Sequence, residues 1–405
     1  MSRVERQARL HNAEMRNVNY EHSYKFSSFL ERARGNILIN GGTKGKRRLC
    51  LLEYIVCMSA NTCRPIIIFS DDDTLEENLI RLAENGMIGK LQVCSEKRSK
   101  YDFFCGMQNR FISECMTRIA SAKGCRDTTE PQSYINAFLA IMKDTLSGIN
   151  SRRGPDLNIM LENAGMQDSD LIAVAKSPLN ASVLNSSTQG GVLFRSLLQI
   201  FADETSDIRN TNSNYNDPED NALTIKNCIK NLLIFLVKVP PVNCEILSVY
   251  FATELRSLID NDFLCIFDDS LLLETESMQT VVSMMKKRSN IDVICSCDNI
   301  LSFDHCDKDI EDNFNSNLIF LNGNAPQQDI QKVLSSFGQY THMKAMTNIS
   351  TPPRIFLTLA RGEGESAQAY ARDRVLLQEE YGKEAVITYG SNAHIVIVEN
   401  LMNNL

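Results

Sequence analysis

An apolar run from Ile37 to Ile39 leads through Asn40 into Gly41, Gly42, Thr43, Lys44, Gly45, Lys46 and Arg47. Residues of these types in this order can hold phosphate. Consecutive backbone N–H groups in a tight glycine turn point at phosphate oxygens, a lysine neutralises the outer phosphates, and the helix that follows adds its dipole. Gly41, Gly42, Gly45 and Lys46 suit those roles. A second apolar run, Phe263 to Phe267, ends in Asp268 and Asp269, where a strand would deliver a Mg²⁺-linked carboxylate. Together the fragments read as two halves of a nucleoside-triphosphate site, with ATP and Mg²⁺ as the cofactors it would take.

Both halves are altered. If Gly45-Lys46 is the GK of G-x-x-x-x-G-K-[ST], Asn40 stands where the leading glycine belongs and Arg47 where a hydroxyl would hold Mg²⁺. A guanidinium cannot ligate a cation. Thr43 carries a hydroxyl, but on the wrong side of the lysine. Two plainer readings stand beside the phosphate site. The loop is then a strand-to-helix turn with solvated basic residues, and Asp268 and Asp269 cap the next helix, as acids at a helix N-terminus do.

The elements that must position these residues follow from hydrophobic pattern. Apolar runs predict strands at 36–40, 65–70, 262–267, 292–296, 317–322 and 354–359, several apolar throughout, as in a parallel sheet covered on both faces. A helix is expected to begin near Thr74. Between about Phe103 and Leu236 the strand signal vanishes and helical patterns such as PQSYINAFLAIMKDTL and GGVLFRSLLQIF take over. The predicted organisation is a basic helical segment over 1–35, an α/β core over 36–102 and 237–405, and an all-α insertion over 103–236. A polar, exposed loop is expected near 203–221.

Composition narrows the classes. The chain has 405 residues and a net charge of -8, which opposes wholesale nonspecific nucleic-acid binding while leaving local basic patches able to touch DNA. Thirteen cysteines are scattered, with no C-x-x-C, and are expected reduced and mostly buried; Cys295, Cys297, His305 and Cys306 are the nearest approach to a metal set. No apolar run reaches the length of a membrane span, so no transmembrane segment and a cytoplasmic location are expected.

With these motifs in hand, the order of segments resembles the type IV coupling proteins, TraG/TraD-like conjugation ATPases of the FtsK/HerA P-loop superfamily. The matching segments are ILINGGTKGKRR, PIIIFSDDD, the helical stretch after Phe103, FLCIFDDS, MMKKRSNIDVICSCDN, NSNLIFLNG and the tail ARDRVLLQEEYGKEAVITYGSNAHIVIVEN. The resemblance implies a RecA-like P-loop sheet flanked by helices with an all-α insertion, and a closing hairpin. It implies nucleotide contacts at Gly41 through Arg47, catalytic roles for Asp268, Asp269 and Arg288, metal at Asp268, and a motif III position at Asp298 or Asn299. It also implies a homo-oligomer or co-assembly with an active ATPase of a DNA-transfer or secretion system.

The departures shape the functional expectation. Arg47 replaces the serine or threonine, Asp269 stands in for a glutamate, the motif III glutamine is missing, and no membrane anchor is expected. The expected function is a catalytically degenerate ATPase-like adaptor or regulatory subunit that still binds nucleotide. The alternatives are an active DNA-translocating motor and a nucleotide-free α/β scaffold.

Overall fold

Strand β1 (Tyr24–Lys25) is followed by β2 (Ile37–Gly41), α1 (Lys44–Asn61), β3 (Ile66–Ser70), α2 (Asp73–Glu84) and β4 (Leu91–Cys94). A helical stretch comes next: α3 (Asn109–Ala122), α4 (Thr129–Gly148), α5 (Leu157–Ala164), α6 (Asp168–Val174), α7 (Pro178–Ser186), α8 (Thr188–Glu204) and α9 (Ile225–Lys230). Then come β5 (Ile234–Lys238), α10 (Cys244–Ser257), β6 (Phe263–Asp268), α11 (Glu276–Lys286) and β7 (Ile291–Cys297). The last strands are β8 (Asn317–Leu321), β9 (His342–Ile349), β10 (Ile355–Gly362), β11 (Glu384–Tyr389) and β12 (Asn392–Ile397). This computed structural model describes residues 24–25, 35–149, 151–239, 244–297, 317–321, 342–349, 355–362, 384–389 and 392–397. The chain divides into two compact units, 1–61 with 294–405, and 62–293.

In the first unit β2 lies between β7 and β8 and runs parallel to both, with Ile39 opposite Ser296 on one side and Ile319 on the other. Next to β8, β11 runs antiparallel and forms the hairpin with β12 that the tail resembled. β9 and β10 make a separate antiparallel pair. The basic segment expected over 1–35 lies outside the described residues except for Gly35 and for Tyr24–Lys25, a strand parallel to β12.

The second unit holds the order β6-β3-β5-β4, all parallel, with Ile68 opposite both Ile266 and Leu236. Residues Ile66 to Ser70 and Phe263 to Asp268 are buried without interruption. β-branched and aromatic side chains covered on both faces are what a parallel sheet between helix layers selects. α2 shows how the covering helices form. Asp72 caps it by accepting from the Thr74 N–H, Asp73 and Glu76 complement its dipole, and Leu75, Leu79 and Leu82 make the buried stripe.

The fold is thus α/β with parallel strands, flanking helices and an all-α stretch between β4 and β5, as the sequence led one to expect. Strands β1, β4, β5 and β9 are additions, two of them in the second unit. β4 is only half covered along its length, and β5 begins at Ile234, so it straddles the boundary expected between 236 and 237. The reason is physical. The run NLLIFLVKV, interrupted at Lys238, reads as an aborted membrane span.

The all-α stretch shares its core with the sheet of its own unit. Tyr101, Phe103, Phe104 and Phe201 pack with Tyr250 and Phe251 of α10, and Phe251 meets Phe69 of β3 with ring centroids 5.2 Å apart. The loop at 203–221 is polar as expected, yet its backbone is fastened. The Tyr101 N–H donates to the Ile208 carbonyl and the Asn210 N–H donates to the Tyr101 carbonyl. Asp102 accepts from Asn210 Nδ2 and the Leu223 N–H while pairing with buried Arg153, which also pairs with Asp156.

Candidate nucleotide site

The loop between β2 and α1 is tighter than the sequence pattern implied. α1 begins at Lys44, so Gly45 and Lys46 lie in its first turn instead of preceding it. Thr43 causes this by capping the helix: its Oγ1 accepts from the Lys46 N–H at 3.3 Å and its carbonyl from the Arg47 N–H at 3.1 Å. The turn itself is made by Gly41 and Gly42, with φ of 83° and 65°, a left-handed pair that only glycine adopts without strain. Asn40, at the position of the missing leading glycine, is fully buried at the end of β2, where the Cys297 thiol approaches its Oδ1 at 3.8 Å.

Arg47 does not reach outward. It is 4% exposed, and its Nη1 donates to the carbonyls of both Gly41 and Gly42 at 3.1 Å. The guanidinium therefore faces the carbonyl side of the turn. Lys44 and Lys46 are half-buried, and Thr43 and Gly45 are exposed at the head of the helix. Gly45 has no positive φ, and a Cβ built on it would meet only Thr43 Oγ1 at 3.9 Å. Among the described residues no close contact calls for glycine there.

The acid-ended strand belongs to the second unit. Asp268 is 1% exposed, and its Oδ2 accepts from the Ser70 hydroxyl at 2.9 Å. Ser70 Oγ in turn accepts the Asp72 N–H at 3.1 Å, so the carboxylate is oriented from the neighbouring strand. Ser70 escaped the sequence reading. The signal was there, because IIIFS and FLCIFD each end an apolar run in a polar residue, and register places Ser70 opposite Asp268. Asp269 is half-buried and has φ of 45°, an unusual backbone state for a side-chain-bearing residue. The reading of these acids as caps of the next helix fails. Thr275 caps α11, accepting from the Met278 N–H, and a 3-10 turn at Leu271–Glu274 intervenes.

Arg288 is exposed just beyond α11, its N–H donating to the Met285 carbonyl. Asp298 and Asn299, and likewise His305 and Cys306, lie outside the described residues. Cys295 and Cys297 are buried thiols outside any disulfide, and among the described residues no three His, Cys, Asp or Glu side chains gather as a metal site. Among those residues no helix is long and apolar enough to cross a membrane.

No family model and no curated protein matches the sequence. Solved structures do. The plasmid coupling protein TrwB bound to the non-hydrolysable ATP analogue ADPNP aligns with 96% of this chain and 92% of its own, at 13% identity and a TM-score of 0.54. TrwBdeltaN70 in complex with sulphate aligns over the same shares at 12% identity and 0.51. VirB4 of Thermoanaerobacter pseudethanolicus aligns with 90% of this chain and 89% of its own, at 10% identity and 0.50. The likeness spans nearly the whole length of each partner at an identity that speaks for backbone alone. The chain therefore has the P-loop α/β fold of the conjugative coupling proteins, in a strongly diverged sequence.

Proposed function

We propose that the chain is a catalytically degenerate P-loop protein that binds nucleotide at Gly41 to Arg47 and serves as an adaptor or regulatory subunit of a conjugation or type IV secretion assembly. The observation that carries this reading is Arg47. The residue at the position of the metal-holding hydroxyl is a buried cation bonded to the loop's own carbonyls. The parts needed for anion binding remain: a glycine turn, an exposed glycine in the first helical turn, the helix N-terminus and Lys46. Two neighbours, TrwB with ADPNP and TrwBdeltaN70 with sulphate, bind anionic ligands on the same fold.

In this reading the glycine-turn N–H groups and Lys46 hold the phosphates. Asp268, to which Ser70 donates at the end of β6, is the acid of the second unit that the motif assigns to Mg²⁺. Assembly as a ring or beside an active ATPase, at the cytoplasmic face of the transfer system, belongs to the same reading. DNA contact would fall on local basic patches. One is described: Arg110 and Arg256 both lie over the Phe111 ring, and Glu114 alone answers Arg118 and Arg256.

The test is purified protein with Mg²⁺-ATP. ATP and ADP should raise the melting temperature, Lys46→Ala should remove that rise, and no phosphate should be released. Phosphate release abolished by Lys46→Ala would instead establish the motor, and no thermal shift with ATP, ADP or GTP would leave only the scaffold.

A further inference from the structure

The divalent metal that nucleotide chemistry on this fold implies does not fit the loop. Mg²⁺ takes oxygen ligands in near-octahedral geometry. At the position of the expected hydroxyl, Arg47 offers only N–H donors and cannot be deprotonated. The Thr43 hydroxyl is engaged in capping α1, and the carbonyls of Gly41 and Gly42 already accept from Arg47.

Those two hydrogen bonds do more than fill the space. In a trans peptide the carbonyl of one residue and the N–H of the next point in opposite directions. Holding the carbonyls of Gly41 and Gly42 against Arg47 therefore turns the N–H groups of Gly42 and Thr43 to the opposite side of the turn. An anion held by the loop would bind on that side. The left-handed φ of both glycines is what lets two successive carbonyls converge on one guanidinium nitrogen.

We infer that Arg47 is a built-in cation standing in for the divalent metal, fixing two peptide planes so that the loop takes nucleotide phosphates without Mg²⁺. The inference rests on the nucleotide reading above. Arg47 acts as a positioning residue: it works through the backbone and leaves phosphate contact to the N–H groups and Lys46. A free magnesium ion, drawn by the phosphates and opposed by a neighbouring fixed positive charge, gains little here.

Equilibrium dialysis of labelled ATP and ADP, in Mg²⁺ and in chelator, tests this. In the unmodified protein the two affinities should agree within about threefold, under 1 kcal/mol. Arg47→Thr should lose at least tenfold in chelator and recover part of it in Mg²⁺. Arg47→Lys keeps a buried cation and so guards against a variant that fails to fold; it should fall between the two. Tenfold or greater Mg²⁺ dependence in the unmodified protein would overturn the inference and leave nucleotide binding standing, as would unchanged chelator affinity in Arg47→Thr. No binding in either buffer would overturn the nucleotide reading together with the inference.

Discussion

The loop after β2 and the end of β6 each bury a charged side chain, and they hold it in opposite ways. Arg47 is bound to main-chain carbonyls of the turn that it shapes. Asp268 accepts from a neighbouring strand's hydroxyl, which orients the carboxylate without changing what it can do. A carboxylate offers lone pairs to donors and cations. A guanidinium has none. The first region has thus exchanged a metal-compatible position for a structural cation, while the second keeps the chemistry of an acid.

Substitutions can break or sharpen that contrast. The largest effect is expected at Arg47. Arg47→Ala removes a charged donor from two buried carbonyls and should cost about 2–3 kcal/mol, read as a lowered denaturant midpoint. A loss below half of that would mean the guanidinium is a bystander in the turn.

A comparable but pH-dependent effect is expected at another buried carboxyl of the second unit, Glu254. It accepts from the Tyr101 hydroxyl at 2.6 Å, and burial pushes its pKa from 4.5 up to about 7. Because the folded value is the higher one, the folded state binds the extra proton. The contribution is fully present below the unfolded pKa and is lost as pH rises through about 7. Melting temperature should fall between pH 5.5 and 8 in the unmodified protein relative to Glu254→Gln, on the order of a few degrees. Parallel curves for the two proteins would contradict the assignment. Asp268 shows the contrast: Asp268→Asn leaves an oxygen for Ser70 and should change stability by less than about 1 kcal/mol.

Gly45→Ala gives the smallest change in the fold and separates it from ligand binding. With no positive φ and only a 3.9 Å contact for the new Cβ, stability should rise by about 0.5 kcal/mol. Nucleotide affinity should drop, since the methyl group stands where phosphate must approach. Unchanged affinity would move the phosphates away from the first turn of α1.

Much of this was legible from residue types. The buried strands at Ile66 and Phe263, the helix after Asp72 and the helical stretch after Phe103 are written in hydrophobic period and capping residues. β5 was hidden because its apolar run, broken at Lys238, was weighed as a membrane span. Gly41, Gly42 and Lys46 announce a phosphate loop, and Arg47 announces that it is altered. That Arg47 folds back on the turn, and that Thr43 caps the helix beginning at Lys44, depend on rotamer and capping geometry. Residue identity does not specify these. Ser70 behind Asp268 required strand register, which pairs residues 198 apart in sequence.

The central claim is that this fold keeps nucleotide and does not spend it. The direct measurement is a single-turnover mixture of labelled ATP with excess protein and Mg²⁺, followed by recovery and analysis of the bound label. The account predicts intact ATP on the protein, lost with Lys46→Ala. Bound or released ADP, appearing in the unmodified protein and not in Lys46→Ala, would contradict it.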